Sequence, residues 1–213
     1  KVKELTKGAR TNEEKTRLLY EYLQNKTRYV SIQLGIGGLQ PFEAKTVDET
    51  GYGDCKALSN YMVSLLEEAG IKGYYTTIMA GEGESAVDTE FPSDQANHVI
   101  VTVPNGADTL WLECTSQTNP FGWMGKFTDN RQALMVTEQG GFLVKTPSHP
   151  AERNIQSRRA DVELDLTGNA KAKVRTRYSG LQYENDGLNF VVNKQVDDQK
   201  KWLQRTTQIP SFD

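Results

Sequence analysis

Apolar residues recur along this chain at two spacings, one typical of helices and the other of strands. From Cys55 to Ala69 they lie three or four positions apart, which predicts a helix with one buried face, ended by Gly70. The Thr11–Glu14 segment has the residues of a capping box and predicts a second helix that runs to about Asn25. Runs rich in β-branched and aromatic residues predict strands at 28–33, 73–80, 97–103, 110–115, 132–136 and 142–145.

Helices early in the chain, followed by strands joined through turns, predict an α+β fold. We expect a core domain at 1–146, a linker at 147–155 and a β-rich segment at 156–213. That last segment is expected to end in a helical stretch at 196–204, with an apolar face in need of a partner.

An amphipathic hairpin is predicted within the β-rich segment, where apolar and charged residues alternate on both sides of Thr167–Asn169. A three-residue loop would set Asp165 opposite Lys171 and Glu163 opposite Lys173. We interpret these charges as a solvated face and not as a binding site.

The segment Gly51–Lys56 places a cysteine at the start of the first predicted helix. Its glycines allow a sharp turn, and Asp54 is a favourable N-cap residue. A thiol at this position faces the unpaired N–H groups and the positive end of the helix, which favour the thiolate form. Cys55 is therefore a candidate nucleophile. The alternative is a buried structural cysteine, a common role for free thiols.

A nucleophilic cysteine needs a base, and the sequence contains two histidines. His149 lies between prolines in the linker, and we assign it no role. His98 begins a predicted strand that the Pro104–Ala107 turn connects to the next strand. A two- or four-residue loop centred on this turn would set His98 directly opposite Glu113, close enough for a hydrogen bond. A three-residue loop would shift that register.

Glu113 lies in an otherwise apolar strand, where a charged residue is rarely placed without a partner. The simpler alternatives are a carboxylate that faces solvent and a histidine with an ordinary structural hydrogen bond. Taken together, Cys55, His98 and Glu113 predict a nucleophile, a base and a group that orients the base.

Several blocks of the sequence resemble the bacterial transglutaminase-like superfamily. Gly53–Lys56 opens a helix, Gly70-Ile71 closes it, Asn97–Ile100 begins a strand, and the next strand ends in a carboxylate and Thr115. The resemblance covers about Arg28–Thr146. It implies a papain-like core with a Cys–His–Asp triad.

Carried over to this chain, the resemblance makes Cys55 the nucleophile, His98 the base and Glu113 the third member of the triad. The family usually has Asp at the third position, and Glu is one methylene longer. We therefore expect an adjusted imidazole geometry or weak activity. Papain-like enzymes also place a side-chain amide near the cysteine, so Gln33 and Gln40 are candidate oxyanion donors beside the Cys55 N–H. The alternative for each is an ordinary surface glutamine.

Three more residues are candidates for the rim of the cleft around the cysteine: Asp54, Asn97 and Trp123. Trp123 follows the strand of Glu113 and is expected to form an aromatic wall. The long polar loop at 81–95 leads directly to His98 and is expected at the same rim.

The resemblance extends to multidomain proteins of Bacteroidetes type, in which one β-rich domain precedes the core and another follows it. We expect this chain to be cut from such a protein, without the first β-rich domain and with 156–213 as a truncated part of the second. The same resemblance implies a periplasmic or secreted location.

The implied chemistry is acyl transfer on peptide or carboxamide bonds through a thioester on Cys55. Hydrolysis is the preferred outcome, which would make the protein a peptidase or amidase. An amine-transferring transglutaminase is one alternative. A non-catalytic binding or scaffold module with a decayed triad is the other, because Glu113 departs from the family pattern.

Composition narrows the partners further. A formal charge of −3 argues against a nucleic-acid or anionic-membrane surface, and no stretch approaches the length of a membrane span. We expect a peptide or protein substrate. Two histidines and two cysteines match no zinc pattern, so no metal and no cofactor are predicted. Cys114 alternates with Glu113 along its strand and is expected to pack in the core, which leaves two free thiols.

Overall fold

The computed structural model describes residues 1–83 and 87–207, and the chain divides into two compact units, Lys1–Pro147 and Ser148–Asp213. Residues 84–86, which belong to the predicted rim loop, and 208–213 lie outside the described residues. Within the described part, no helix combines the length and the apolar character needed to cross a membrane.

The helices described in the first unit are α1 (Val2–Leu5), α2 (Asn12–Lys26), α3 (Ala44–Thr50) and α4 (Cys55–Glu68). The predicted capping box starts α2, because the Thr11 hydroxyl accepts from the Glu14 N–H while the Glu14 carboxylate accepts from the Thr11 N–H. A Schellman motif ends α4: Gly70 is left-handed, and the Ile71 N–H donates to the Leu66 carbonyl at 2.9 Å. Both helices therefore lie close to their predicted positions.

The main sheet of the first unit is antiparallel, with strand order β5-β4-β3-β6-β7. Its strands are β3 (Tyr74–Ile78), β4 (His98–Asn105), β5 (Asp108–Leu112), β6 (Gln132–Thr137) and β7 (Gly140–Lys145). A separate parallel pair joins β1 (Arg28–Tyr29) to β2 (Tyr52–Gly53). This pair ties the chain after α2 to the turn that precedes α4.

The core forms where α4 packs against both α2 and β4. Leu58 and Met62 of α4 are fully buried there, together with Leu19 of α2 and Val101 of β4. Full burial of a side chain of this size contributes about 1.5–3 kcal/mol, so this face anchors α4 firmly. Ile100 belongs to a second buried cluster, and because neighbouring strand residues face opposite ways, β4 is covered on both sides.

The β4–β5 hairpin differs from the prediction in its register. Asn105 pairs with Asp108 across a two-residue turn, one residue later than predicted. Continued along the strands, this register would set Thr115 opposite His98, so the predicted direct opposition of Glu113 is wrong. A displacement of two positions leaves every side chain on its own face, and His98 and Glu113 remain on the same side of the sheet.

The position of this turn has a local cause. Gly106 is its first central residue and has a φ of +65°, the feature of a type II′ hairpin turn, which takes glycine at that position. Pro104 then falls within β4, opposite Thr109 and next to the pair that flanks the turn. In a hairpin with a two-residue turn, the flanking pair Asn105–Asp108 is hydrogen-bonded and the next pair, Pro104–Thr109, is not. The missing N–H of the proline therefore costs no hydrogen bond between the strands.

The second unit contains the antiparallel hairpin of β8 (Gln156–Leu164) and β9 (Ala170–Tyr178). Its loop has five residues instead of the predicted three. The Asp165 carboxylate accepts hydrogen bonds from the N–H groups of Thr167 and Asn169, and these bonds stabilise the longer loop. Glu163 consequently pairs with Lys171, and the predicted register, two positions away, is wrong. The charged residues still share one face.

Helical segments follow the hairpin: α5 (Leu188–Val191) and α6 (Val196–Thr207). The latter confirms the predicted helical stretch and extends it by three residues. Its Trp202 is buried, and the indole N–H donates to the Asp186 carbonyl at 2.8 Å. This contact fixes the indole of Trp202, whereas Leu203, also part of the predicted apolar face, is 38% exposed.

Candidate active site

Cys55 is the first residue of α4 and directly follows the N-cap residue Asp54. The Asp54 carboxylate accepts a hydrogen bond from the Ala57 N–H at 2.9 Å and forms an ion pair with the Lys56 ammonium. A side chain at Gly53 would come within 2.8 Å of the Ala57 side chain, so this tight entry into the helix requires glycine. Because Cys55 lies in the first turn, its N–H has no carbonyl partner within the helix.

His98 and Glu113 form a buried hydrogen-bonded pair. The Nε2 atom of His98 lies 2.9 Å from Oε2 and 3.1 Å from Oε1 of Glu113. Both side chains are less than a tenth exposed. The observed register places the two residues diagonally across the strands, where backbones are farther apart than in a direct pair. The extra methylene of glutamate suits this longer reach.

Two residues that the sequence analysis missed hold Glu113 in place. The Thr115 hydroxyl and N–H donate to Oε1 of Glu113 at 2.6 and 3.1 Å. The Tyr20 hydroxyl donates to the Glu113 backbone carbonyl at 3.0 Å. The spacing of two residues between Glu113 and Thr115 is a signal that could have identified Thr115. Tyr20 is 93 positions away and has no such local signal.

Cys55 lies beside the imidazole of His98, and its side chain is one of the groups that raise the pKa of that histidine. Because Glu113 occupies Nε2, the nitrogen left for Cys55 is Nδ1. The ring of Phe127 lies edge-on to the imidazole, with 5.0 Å between ring centroids, and is about half exposed. The structure therefore brings the three predicted residues into one group, with an aromatic ring beside the histidine that the sequence analysis did not identify.

The electrostatics of the pair are those of two opposite charges. Burial lowers the pKa of His98, but the charge of Glu113 and hydrogen bonds to Cys55 and Glu113 outweigh it and raise the pKa to about 9. Burial raises the pKa of Glu113, but the charge of His98 and hydrogen bonds from His98 and Thr115 bring the pKa below its usual range. At neutral pH the histidine is therefore an imidazolium and the glutamate a carboxylate.

Cys114 provides an internal contrast to Cys55. Both cysteines are buried, Cys55 at 9% and Cys114 at 2% exposure, but Cys114 packs in the apolar core, where its thiol lies 3.7 Å from the Leu112 carbonyl. Burial, together with the nearby charge of Glu113, raises the pKa of this thiol, which keeps it neutral. Both cysteines are free and Cys114 is in the core, as predicted.

Among the described residues, no contact connects the two glutamines predicted as oxyanion donors to Cys55, His98 or Glu113. Gln33 and Gln40 are exposed on either side of a 3-10 turn at Gly35–Gly38. Over residues 1–83 and 87–207, neither side-chain amide makes a hydrogen bond. The backbone N–H of Cys55 is the donor whose position the fold fixes.

The predicted rim residues have other contacts. Asp54 caps α4, as described above. The side-chain amide of Asn97 accepts from the Ala80 N–H at 2.7 Å and donates to the Ala80 carbonyl at 2.8 Å, which fixes the backbone directly before His98. Trp123 is half-buried in the segment that follows β5. Their placement at a substrate rim remains a prediction.

Comparisons with known proteins agree with this architecture. The sequence model of the transglutaminase-like superfamily matches residues 1–125. No curated protein sequence matches the chain. Among solved structures, a putative protease from Parabacteroides distasonis ATCC 8503 shares the fold over 70% of this chain, with a TM-score of 0.53 and 17% sequence identity. This chain spans 27% of the length of that protein.

These findings confirm the predicted α+β, papain-like fold and the predicted family, with a sheet-containing region after the core. The family match begins at residue 1 and so includes α2, which lies before the Arg28–Thr146 stretch on which the resemblance was based. Because the match covers more than half of the 213 residues, this chain belongs to the transglutaminase-like superfamily.

Proposed function

We propose that the first unit catalyses cysteine-dependent acyl transfer on peptide or carboxamide bonds, with water as the usual acceptor. One observation carries the proposal: His98 is hydrogen-bonded to Glu113 through Nε2, and Cys55 is close enough to the same imidazole to raise its pKa. This order of nucleophile, base and orienting carboxylate is the one that acyl transfer through a covalent intermediate requires.

In the acylation step, the Cys55 thiolate attacks the carbonyl carbon of the scissile amide, and the carbonyl oxygen takes up negative charge. The Cys55 N–H, unpaired within the first turn of α4, is the proposed donor to that oxygen. His98, an imidazolium held by Glu113, gives its proton to the departing nitrogen. The C–N bond breaks, an amine or ammonia leaves, and a thioester remains on Cys55.

Deacylation reverses the roles of the same groups. The neutral His98 takes a proton from a water molecule, and the resulting oxygen nucleophile attacks the thioester carbonyl. The C–S bond breaks, a carboxylic acid leaves, and the thiolate and imidazolium are restored. A primary amine in place of water would make the enzyme a transglutaminase. We favour water because the fold neighbour from Parabacteroides is described as a protease candidate.

The geometry of Glu113 weighs against a decayed, non-catalytic module. Both of its carboxylate oxygens lie within 3.1 Å of the His98 Nε2 atom, and Thr115 donates two further hydrogen bonds to the carboxylate. Burial of a charge is costly unless the charge is paired and hydrogen-bonded, as the Glu113 carboxylate is. The glutamate in place of the usual aspartate therefore suits the observed register, in which the third residue must reach diagonally across the strands to His98.

The proposal is tested with a fluorescent peptide that carries a thiol-reactive vinyl sulfone at its C-terminus. We expect the wild type to be labelled at Cys55, and labelling to be lost in Cys55→Ala and strongly reduced in His98→Ala. Cys114→Ala is the matched control and should be labelled like the wild type. Equal labelling of the wild type and Cys55→Ala would refute the proposal.

A second assay separates the two acceptors. A peptide with a C-terminal carboxamide is incubated with the protein in the presence of a labelled primary amine, and the products are separated by mass. Release of the free acid, with little amine conjugate, is the expected result. Predominant conjugate would instead identify a transglutaminase, and the absence of either product with wild type would favour the scaffold alternative.

A further inference from the structure

The segment Tyr29–Phe42 is unusual for an exposed stretch of this chain. It contains no charged residue in 14 positions, although a quarter of all residues are charged. Three of its large apolar side chains project almost fully into solvent, Leu34 at 90%, Ile36 at 71% and Leu39 at 75% exposure. Single exposed apolar residues are common, but a cluster in one uncharged segment marks an interaction surface.

Both ends of this segment are attached to the elements that position Cys55. At its start, the Val30 N–H donates to the Gly53 carbonyl at 2.9 Å, two residues before the cysteine. At its end, the Phe42 carbonyl accepts from the Asn60 side-chain amide of α4 at 3.1 Å. The Phe42 ring also meets the Tyr52 ring edge-on at 6.5 Å between centroids. The loop that carries the apolar side chains is therefore attached at both ends to the elements that hold Cys55, namely the turn before it and α4.

The middle of the segment has a defined conformation. Residues Gly35–Gly38 form a 3-10 turn, and the Ile36 carbonyl accepts from the N–H groups of Leu39 and Gln40 at 3.0 and 2.8 Å. A loop ordered by its own backbone hydrogen bonds presents its side chains at low entropic cost to a ligand. Packing within the fold does not account for these side chains, because they lie outside the apolar core.

We propose that Tyr29–Phe42, here termed the apolar loop, binds the apolar side chains of a peptide substrate next to the bond that Cys55 attacks. This inference rests on the proposed function, whose substrate class it narrows from any peptide to peptides with an uncharged, apolar stretch at the scissile bond. Leu34, Ile36 and Leu39 are the residues that set this preference.

A peptide is a better match for the apolar loop than a membrane surface is. Binding to anionic lipid is aided by lysine and arginine next to the inserted apolar residues. The apolar loop has no basic residue, and the chain has a formal charge of −3. The attachment of both ends of the loop to the elements around Cys55 also favours a ligand that must reach the cysteine.

The test uses the triple variant Leu34→Ser/Ile36→Ser/Leu39→Ser. Its matched control is Val162→Ser/Leu164→Ser/Leu166→Ser, which removes three equally apolar side chains exposed at 57%, 75% and 108% in the second unit. Because all six side chains are largely exposed, both variants should keep their fold, and circular dichroism checks this. Labelling of Cys55 by iodoacetamide, which is too small to need the loop, should proceed at the wild-type rate in both.

Specificity is measured with a positional-scanning library of capped tetrapeptide coumarin amides. We expect the wild type and the control variant to prefer Leu, Ile or Phe over Asp or Ser at one or more positions. In the loop variant kcat/KM for the apolar peptides should fall by about ten-fold or more, toward the values for polar peptides. An unchanged preference in the loop variant, or a wild type that prefers charged peptides, would overturn the inference.

A binding assay separates failure of this inference from failure of the proposed function. The capped apolar tetrapeptide Leu-Ile-Leu-Phe, labelled with fluorescein, is titrated with Cys55→Ala and with Cys55→Ala carrying the loop substitutions, and anisotropy is recorded. Weaker binding in the loop variant supports the inference even if wild type turns over no peptide, which would count only against the catalytic proposal. Equal binding, or loop-dependent binding of phosphatidylcholine vesicles or of a second copy without peptide binding, would refute it.

Discussion

Two hairpins of this protein, β4–β5 in the first unit and β8–β9 in the second, have a similar pattern in sequence and very different surroundings. In each, the predicted register is displaced by two positions from the observed one. In β4–β5 the residues are largely buried, and His98 at the start of β4 pairs in the protein interior with Glu113, which directly follows β5. In β8–β9 every residue of β8 is exposed, and charges such as Glu163 and Lys171 lie in solvent.

The comparison shows that the face of a side chain and its cross-strand partner are determined by different features. The face follows from the period of two along a strand, so a displacement by two positions leaves it unchanged. The partner is set by the turn, which in β4–β5 depends on Gly106 and in β8–β9 on the Asp165 carboxylate. Burial or exposure of the pair then determines whether its charges have a large effect on stability and activity or almost none.

The largest expected effect comes from breaking the buried pair. We expect Glu113→Gln to lower kcat/KM by about 10²–10⁴-fold, because the amide no longer stabilises the imidazolium that acts as general acid. The matched change in the exposed hairpin, Glu163→Gln, should leave kcat/KM at the wild-type value. Steady-state hydrolysis of the best library peptide measures both. A loss below two-fold in Glu113→Gln would contradict the assigned role.

The pH dependence of the same reaction should shift in a defined direction. In wild type, activity should decline as pH rises through about 9, where His98 loses its proton. Glu113→Gln removes the charge that raises this pKa, so the alkaline limb should move down toward 6.5, the ordinary value for histidine. A pH profile of kcat/KM from 5 to 10 tests this, and Glu163→Gln should retain the wild-type limb. An unmoved limb in Glu113→Gln would show that another group titrates.

The free energy of unfolding of the first unit should vary with pH according to the titration of His98 and Glu113. The raised pKa of His98 contributes stability that is fully present below about 6.5 and is lost as pH rises through about 9. The lowered pKa of Glu113 contributes stability that is present above 4.5 and is lost as pH falls through its folded value. Urea unfolding followed by tryptophan fluorescence should therefore show the greatest advantage of wild type over His98→Ala/Glu113→Ala between pH 4.5 and 6.5. A constant difference from pH 4 to 10 would contradict the charged pair.

A smaller effect is expected from the residue that supports the carboxylate. Thr115→Val keeps the size of the side chain and the backbone N–H but removes the hydroxyl that donates to Glu113 at 2.6 Å. We expect kcat/KM to fall by about ten-fold, since a hydrogen bond to a charged group contributes about 1.5–3 kcal/mol. The control is Thr176→Val in β9, whose hydroxyl accepts from Arg158 at 3.2 Å in an exposed setting. Similar losses in the two variants would show that Thr115 has no special role.

The smallest effect is expected in the exposed hairpin itself. Glu163→Gln and Lys171→Gln each remove one charge of a solvent-exposed cross-strand pair. The free energy of unfolding should change by less than about 0.5 kcal/mol in either variant. Urea unfolding in low and moderate salt provides the measurement. A change above about 1 kcal/mol would mean that this hairpin is not the solvated structure described here.

The sequence alone predicts much of this arrangement because the informative signals are local. The Thr11–Glu14 capping box and the Asp54–Cys55 helix start depend on residues a few positions apart, and both lie where expected. The common face of His98 and Glu113 follows from strand periodicity. Each of these features depends on residues that are close together in the sequence or on the periodicity of one element.

What could not be predicted depends on single dihedral angles or on distant contacts. The register of β4–β5 depends on which residue of the turn has the positive φ, and several loop lengths fit the same residues. Tyr20 and Phe127 contact the site from elements far away in sequence, and periodicity does not reveal such contacts. The reach of Glu113 to His98 becomes understandable only with the observed register.

The most direct test of the central claim is the rate at which each cysteine reacts with iodoacetamide at pH 7, resolved by mass spectrometry of the labelled peptides. The account predicts that Cys55 is alkylated well ahead of Cys114, which packs in the apolar core, and that His98→Ala slows Cys55 by about ten-fold or more because the nucleophile loses the base beside it. Comparable slow labelling of both cysteines, unaffected by His98→Ala, would contradict it.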